Sequence, residues 1–416
     1  MLRAHKIRLN PTPEQEKYFY QASGLARFCF NWGLAEWQRL YKAGENPSAY
    51  KLKKQFNAVR GSQFSWSYEV SKCAIDTGFR NLDAAFKNFF HKCKNSDVKK
   101  GYPNFKSKKR SKLSFRMDGR RTKINGHWIK LEKLSEPINM TEELRFDGEI
   151  KSITISKYAG YWYVAVNVEV ELPKHQHQEG TVGIDLGIKT LAVLSDGRKF
   201  ENQKFLRSEL KKLKCLNRKL SRQQEDSGRW NYTKSKLAKF HKRIADRRMD
   251  YHHKMTTEIA RTYQIIAIED LNVAGMLRKH HLSLCLADAG FGEIKRQLFY
   301  KAEWYGGKLV QIDRFFPSSK LCRFCNHINN NLTLTDRIWI CDYCGAVLNR
   351  DENAALNIKK QALNILGWSG FTDQVKNGRG QDIRLFGAIL EESSKLVEER
   401  RPSELVTYAD SVDQVK

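Results

Sequence analysis

Two cysteine pairs, Cys322/Cys325 in CRFC and Cys341/Cys344 in CDYC, stand fifteen residues apart. Each C-x2-C gap lets one tight turn aim two sulfurs at a single point, and two such turns close a tetrahedron around one ion. Residues 322–344 are therefore read as a small module built around one metal ion. The stretch between the pairs, NLTLTDRIWI, reads as a small hairpin joining the two knuckles. The same spacing could serve two disulfides or an iron–sulfur cluster. The other five cysteines (Cys29, Cys73, Cys93, Cys215 and Cys285) are scattered and bring the total to an odd nine. That usage fits a reducing compartment and metal ligation better than a disulfide framework. Four thiolates leave no open coordination position, so the expected ion is one structural Zn²⁺, not a catalytic one.

The rest of the chain must supply the chemistry. It has 416 residues, room for roughly three domains. Lys and Arg number 74 against 46 Asp and Glu, a net charge of +28, while 41% of residues are hydrophobic. This is a globular chain that needs a polyanion, nucleic acid first and a membrane surface second. No run of about 18 apolar residues is present to span a bilayer. The opening MLRAHKIRLN has no apolar signal core and moves straight into a strand-like pattern. A cytoplasmic protein, nucleoid-associated when bound to DNA, is expected.

Along the chain, residues 2–9 read as a strand. Thr12 and Pro13 then open a helix as N-cap and first helical residue, running to about Leu40. A second helix is expected over about Tyr68 to Cys93, where Phe79, Leu82, Phe86 and Phe90 recur at helical spacing and read as core. Residues 92–130 hold fourteen Lys/Arg against Asp97 and Asp118, interleaved with Tyr102, Phe105, Phe115 and Trp128. From about 113 to 172 the chain alternates as strands of a small β-barrel or curled sheet, with a turn at Lys157–Gly160. PKHQHQEG (173–180) reads as a linker. A new α/β unit follows: buried strands at TVGIDLG and QIIAIEDL, a hairpin turn at Asp196-Gly197, and basic helices over 203–262 broken near Ser227-Gly228. A helix over 287–304, a strand at GKLVQID and an amphipathic helix over 351–366 complete it. The last 45 or so residues lose their periodicity and read as a mobile tail.

Three carboxylates stand out. Asp185 lies among apolar Val182, Ile184 and Leu186 on a strand, where a charge needs a partner, usually a divalent metal. Gly183 and Gly187 beside it could leave space for a phosphate backbone. Glu269 ends the second buried strand, and Asp351 sits in the first turn of the helix that Asn349 can cap. Taken singly they prove little: an Asp in G-x-D-x-G is not diagnostic by itself, Glu269 has the plain alternative of a solvated strand end, and Asp351 that of a residue serving the helix dipole. Three carboxylates sharing one site repel one another until metal ions neutralise them, which is the logic of two-metal phosphodiester hydrolysis.

With these residues in hand, the chain resembles TnpB, the OrfB-type protein of bacterial and archaeal insertion sequences related to type V CRISPR effectors. The resemblance spans residues 1 to about 370. It rests on GYPNFKSKK (101–109), VGIDLGIKTLAVLSDG (182–197), IAIEDLNVAGM (266–276), FPSSKLCRFC (316–325), CDYCG (341–345) and NRDENAALNI (349–358). It implies a multidomain α/β plus β architecture. A β-barrel wedge domain (1–10 and 100–175) would carry an inserted helical recognition lobe (11–99). An RNase H-like RuvC nuclease domain (180–317 and 349–370) would carry the inserted zinc-ribbon, target nucleic-acid-binding module (318–348), with a tail over 371–416.

The implied activity is RNA-guided cleavage of double-stranded DNA next to a short transposon-adjacent motif. One protein would act per guide RNA, with two Mg²⁺ (or Mn²⁺) on Asp185, Glu269 and Asp351. Lys106, Lys108, Lys109, Arg110, Arg120, Arg121, Lys211, Lys212, Arg243 and Arg247 are the expected nucleic-acid contacts. The chain departs from the family twice: Asn349 stands where the family has Asp, and Asn326-His327 where it commonly has Gly. Asn tolerates a left-handed backbone, so the knuckle is expected to close. The competing functions are a transposase acting directly on transposon ends and a non-catalytic nucleic-acid-binding regulator.

Overall fold

The computed structural model describes residues 1–94, 101–171, 179–278, 282–333 and 335–367. Most of the expected linker, Lys99 and Lys100 of the basic run, and the expected C-terminal tail lie outside them. The chain divides into two compact units. One comprises residues 1–182, 186–266 and 271–310; the other takes 183–185, 267–270 and the chain from 311 onward.

In the first unit, β1 (Leu2–Asn10) is followed by three helices, α1 (Pro13–Lys42), α2 (Ala49–Gln63) and α3 (Cys73–Lys94). Six strands come next: β2 (Ser114–Asp118), β3 (Thr122–Asn125), β4 (Trp128–Leu131), β5 (Ile138–Met140), β6 (Glu149–Tyr158) and β7 (Tyr161–Glu169). The sheet order is β2-β6-β7-β1-β5-β4-β3, antiparallel throughout. Its two edge strands, β2 and β3, are joined by a single 3-10 turn, Gly119–Arg121. The sheet must therefore curl until its edges meet, giving the nearly closed form that the alternation implied. Gly119 makes this possible: a Cβ there would lie 1.6 Å from the Ile150 carbonyl oxygen.

Period-two burial turns Trp162, Val164, Val166 and Val168 of β7 and Ile7 and Leu9 of β1 to one face. The helices supply the other side of the same core. Phe19 of α1 meets Trp162 at 5.0 Å between ring centroids, and Trp37 stacks on Phe86 of α3 at 3.7 Å. Thr12 caps α1 in a full capping box with Gln15, as its sequence predicted. α1 and α3 cross closely because Gly78 faces the Cys29 Cβ and Gly33 faces Leu82.

Two expectations needed correction here. The second helix begins at Cys73, not Tyr68, because Ser65–Glu69 forms a 3-10 turn instead. The short helix α2 had no counterpart in the sequence reading. The turn between β6 and β7 is as expected, with Ala159 (φ 48°) and Gly160 (φ 84°) both left-handed.

A second sheet runs β10-β9-β8-β11-β12, from β8 (Glu179–Leu186), β9 (Thr190–Leu194), β10 (Lys199–Glu201), β11 (Tyr263–Glu269) and β12 (Lys308–Ile312). The basic helical pair is α4 (Phe205–Ser221) and α5 (Gly228–Thr262), parted where expected, with Ser227 as the α5 N-cap. Leu213, Leu216, Phe240 and Ile244 form their shared core. Short α6 (Val273–Leu277) and α7 (Ser283–Ala289) lead to α8 (Phe291–Trp304). Buried Lys301 of α8 donates at 2.8 Å to the His253 carbonyl and to the Thr256 and Thr257 hydroxyls of α5.

The second unit holds residues 183–185 of β8 and 267–269 of β11, the hairpin β13 (Ile338–Ile340) and β14 (Val347–Asn349), and α9 (Arg350–Ile365). β13 pairs with β14 across the second knuckle, so among the described residues of NLTLTDRIWI only the last three form a strand, and its partner lies beyond Cys344 rather than within the segment. Among the described residues no helix is long and apolar enough to cross a membrane.

Candidate metal centres and nucleic-acid surface

The two knuckles are built alike. Asn326 donates its N–H to the Cys322 carbonyl at 2.9 Å, and Gly345 donates to the Cys341 carbonyl at 2.8 Å. Returning bonds run from Cys322 N–H to the His327 carbonyl (2.8 Å) and from Cys341 N–H to the Ala346 carbonyl (2.9 Å). Both hinge residues are left-handed, Asn326 at φ 61° and Gly345 at φ 70°. Asn326 thus does what glycine does in the matching knuckle, as its sequence led us to expect. The four sulfurs converge within 4.8 Å of one another, with Cys322–Cys344 and Cys325–Cys341 each at 3.6 Å. A tetrahedral zinc with Zn–S near 2.3 Å needs sulfurs about 3.8 Å apart, so the donor set fits that ion. Backbone donation from Cys344 pulls the Cys341 thiol down toward the thiolate form, whereas the Cys325 and Cys344 thiols are raised, since crowded sulfurs cannot all ionise without a cation between them. Trp339, Leu348 and Leu332 pack against Cys322 and Cys341 as a miniature core.

Asp185, Glu269 and Asp351 all belong to this second unit. Burial pushes the Asp185 carboxyl up to about 7, and the charges of Glu269 and then Asp351 push it the same way; Arg350 and Arg337 oppose them. Burial also raises Glu269, against a hydrogen bond that Ser318 donates to its Oε1. Asp351 sits in the first turn of α9, where the Asn349 side chain accepts from the N–H groups of Asp351 (3.1 Å) and Glu352 (3.3 Å). The Asn found at this departure from the family is therefore a working cap. Arg337 donates to both Asp351 oxygens, at 3.0 and 3.3 Å.

The three carboxylates do not close to the mutual 4.8 Å of the cysteines, the tight ligand cluster among the described residues. They interact as charges, and their donor chemistry suits a hard divalent cation. Gly183 does not leave room for phosphate. A Cβ there would lie 2.1 Å from the Ala355 carbonyl oxygen and 2.6 Å from the Lys359 nitrogen, so the space beside it is filled by α9. A Cβ on Gly187 would lie 2.7 Å from the Thr190 carbonyl oxygen, so that glycine serves the β8–β9 turn.

The sequence reading missed Ser318, Arg337, Asn353 and Asn357. Asn353 and Asn357, one helical turn apart among Ala354, Ala355 and Ile358, were the available signal: polar residues on the apolar face of an amphipathic helix.

The ten basic candidates fall into different settings. Lys108, Arg110, Lys211 and Arg243 are exposed with no acidic partner among the described residues. Lys211 lines a shallow cleft on α4 with Lys214, Asn217 and Arg218. Lys109 reaches Asp226 at 2.7 Å, Arg120 forks onto Asp118 and Arg121 pairs with Glu132. Lys212 and Arg247 lie over Phe240 and Phe205, and Arg247 also stands 3.7 Å from Glu209. Lys106 is half-buried: its backbone is clipped to Asn31 at 2.8 and 2.9 Å, and its ammonium lies 3.9 Å from the Phe30 ring centroid. Of the interleaved aromatics, Tyr102, Phe105 and Trp128 are exposed, Tyr102 with its ring edge-on to Phe86 and Phe89, whereas Phe115 is core.

Three family models match: one described as "Probable transposase" over residues 163–280, a "Cas12f1-like, TNB domain" over 291–358 and a "Helix-turn-helix domain" over 1–46. In this structure the last span is β1 followed by one 30-residue helix, with no second helix in it. A Streptomyces pristinaespiralis protein named "Putative RNA-guided DNA endonuclease" is 35% identical over 86% of this chain and 88% of its own length. An Escherichia coli K12 protein, "Putative RNA-guided DNA endonuclease InsQ", is 29% identical over 91% of this chain and 96% of its own. The Cas12f1 protein of a guide RNA and target DNA complex shares the fold with a TM-score of 0.52 at 15% identity, over 84% of this chain and 83% of that one. Identity at that level, sustained over nearly the whole length of the Streptomyces relative and joined to a shared fold, means that the chain belongs to the TnpB family of transposon-associated, OrfB-type proteins.

Proposed function

We propose that this protein is an RNA-guided, divalent-metal-dependent endonuclease that cuts double-stranded DNA beside a short transposon-adjacent motif. The observation that carries the reading is the meeting of Asp185, Glu269 and Asp351, three carboxylates far apart in sequence, in one compact unit. There burial first, and then the charges of Glu269 and Asp351, lift the Asp185 carboxyl to about 7. Such an arrangement is costly in an apoprotein and is relieved by bound cations. Mg²⁺ or Mn²⁺ held by these three residues would supply an activated water and a stabilised leaving oxygen. The protein's own part is to hold the three negative charges: Asp185 from β8, Glu269 from β11 and Asp351 from the capped start of α9.

In this reading residues 180–317 and 349–370 are a RuvC-like nuclease domain and 318–348 its zinc-ribbon insert. Residues 1–10 and 100–175 form the wedge barrel, and 11–99 the recognition lobe. The curled seven-stranded sheet and the α1–α3 group support the last two, although they share one core. The exposed cations Lys108, Arg110, Lys211 and Arg243 are the best placed of the ten to meet a phosphate backbone. Purifying the protein with its co-expressed RNA, sequencing that RNA and offering matched DNA with Mg²⁺ tests the proposal. Cleavage directed by the RNA sequence is expected. Cleavage indifferent to it would overturn the reading.

A further inference from the structure

Resting on that reading of the carboxylates, we infer that Ser318 is a positioning residue for Glu269, and that the cysteine module and α9 together set where it stands. Ser318 is 5% exposed, and its hydroxyl donates to Glu269 Oε1 across 49 residues of sequence. A serine hydroxyl on a flexible loop would orient nothing, but this one is fixed from behind. The Ser318 carbonyl accepts from Asn357 Nδ2 at 2.8 Å, and the same Asn357 amide donates to the Leu321 carbonyl at 2.7 Å. One turn earlier on α9, Asn353 donates to that Leu321 carbonyl at 2.7 Å and accepts from the Arg323 N–H at 3.1 Å. Both asparagines are 1% exposed, where a displaced amide would lose its partners with no water to replace them.

The loop 318–323 is thus bolted at both ends, by Asn357 before the first knuckle and by the Cys322 ligand within it. The bolt is α9, the helix whose first turn presents Asp351. The spacing between Glu269 and Asp351 is therefore governed by a side-chain clamp as well as by the sheet. By occupying Oε1, Ser318 also limits how the Glu269 carboxylate can turn, so its second oxygen faces the site in one orientation. Groups that orient metal ligands from behind typically change metal affinity about 10–100-fold when removed.

The test uses the full-length, zinc-loaded chain. Mn²⁺ binding is followed by electron paramagnetic resonance on protein free of RNA, and the Mg²⁺ dependence of cleavage is measured on the RNA complex. Ser318→Ala is expected to weaken Mn²⁺ binding about tenfold and to raise the half-saturating Mg²⁺ by a similar factor. Its zinc content and RNA binding should stay unchanged. Ser318→Thr, which restores the hydroxyl, should return both values to within about threefold of the parent. Parent-like Mn²⁺ binding by Ser318→Ala overturns the inference, as does a Ser318→Thr variant no better than the alanine. Glu269→Gln and Asp185→Asn run alongside. If they lose Mn²⁺ while Ser318→Ala keeps it, the positioning role alone fails; if they too bind like the parent, the carboxylate site itself is wrong.

Discussion

At the scale of single residues, Asp185 carries the largest electrostatic conflict in the site, and the conflict has a measurable sign. Its carboxyl is raised from the ordinary aspartate value to about 7. Between about pH 4 and pH 7 the native protein therefore holds a proton that the unfolded chain has released, and metal-free stability falls as pH rises through that window. Chemical denaturation in Mg²⁺-free buffer should show this decline, and Asp185→Asn should remove it. The gain at pH 7.5 is on the order of 2–4 kcal/mol, at about 1.4 kcal/mol for each tenfold change in proton affinity. The same variant, like Asp185→Ala, should lose DNA cleavage while binding RNA normally; full cleavage at saturating Mg²⁺ would remove Asp185 from the site. Asn326 gives a second residue-scale expectation. At φ 61° it should accept glycine with little change, whereas Asn326→Val should cost about 1–2 kcal/mol and speed zinc loss to a colorimetric chelator. Equal rates for the two variants would mean that the knuckle is not held by that backbone geometry.

At the scale of elements, what could be read from the chain depended on whether a signal was local. The Thr12 cap, the Ala159-Gly160 turn, the break at Ser227-Gly228 and the cap at Asn349 are each decided within three or four residues, and each was legible. α2 was not, because only Ala49, Leu52 and Phe56 of its fifteen residues are buried, too few to set a period. Gly183 was misread for the opposite reason: its local context resembles a ligand-facing glycine, and only the packing of α9 upon it reveals its use. Ser318 and Glu269, 49 residues apart, meet by tertiary structure alone. The cysteine module is the element on which most rests, since its loop is tied to Glu269 and its hairpin leads directly into α9. One zinc per chain is expected by elemental analysis. Cys341→Ser/Cys344→Ser should lose it and lower cleavage at least about tenfold, because α9 would no longer be anchored at its start. Retained zinc in the double variant would refute the ligand assignment.

At the scale of the whole molecule, charge is the dominant property, and the structure redistributes where it acts. Residues 92–130 and 203–254 each carry a net +12, yet several of those cations are spent within the protein: Lys106 over Phe30, Lys109 on Asp226, Arg121 on Glu132. Reversing Lys108, Arg110, Lys211 and Arg243 together should weaken RNA binding and lower the slope of log affinity against log salt by about 3, at roughly 0.7–0.9 per phosphate contact. Reversing Lys106 with Lys109 should change the slope less, and a slope untouched by the first set would leave those cations facing solvent. The sheet order has a consequence for synthesis. β1, near the start of the chain, is held between β5 and β7 and pairs with Trp162 to Glu169. At about 5–20 residues per second, the nascent chain spends roughly ten to thirty seconds with that strand unpaired and the apolar faces of α1 and α3 uncovered. Translation that stops before residue 161 leaves a fragment unable to complete its core, so this protein is made all at once or becomes work for chaperones and proteases.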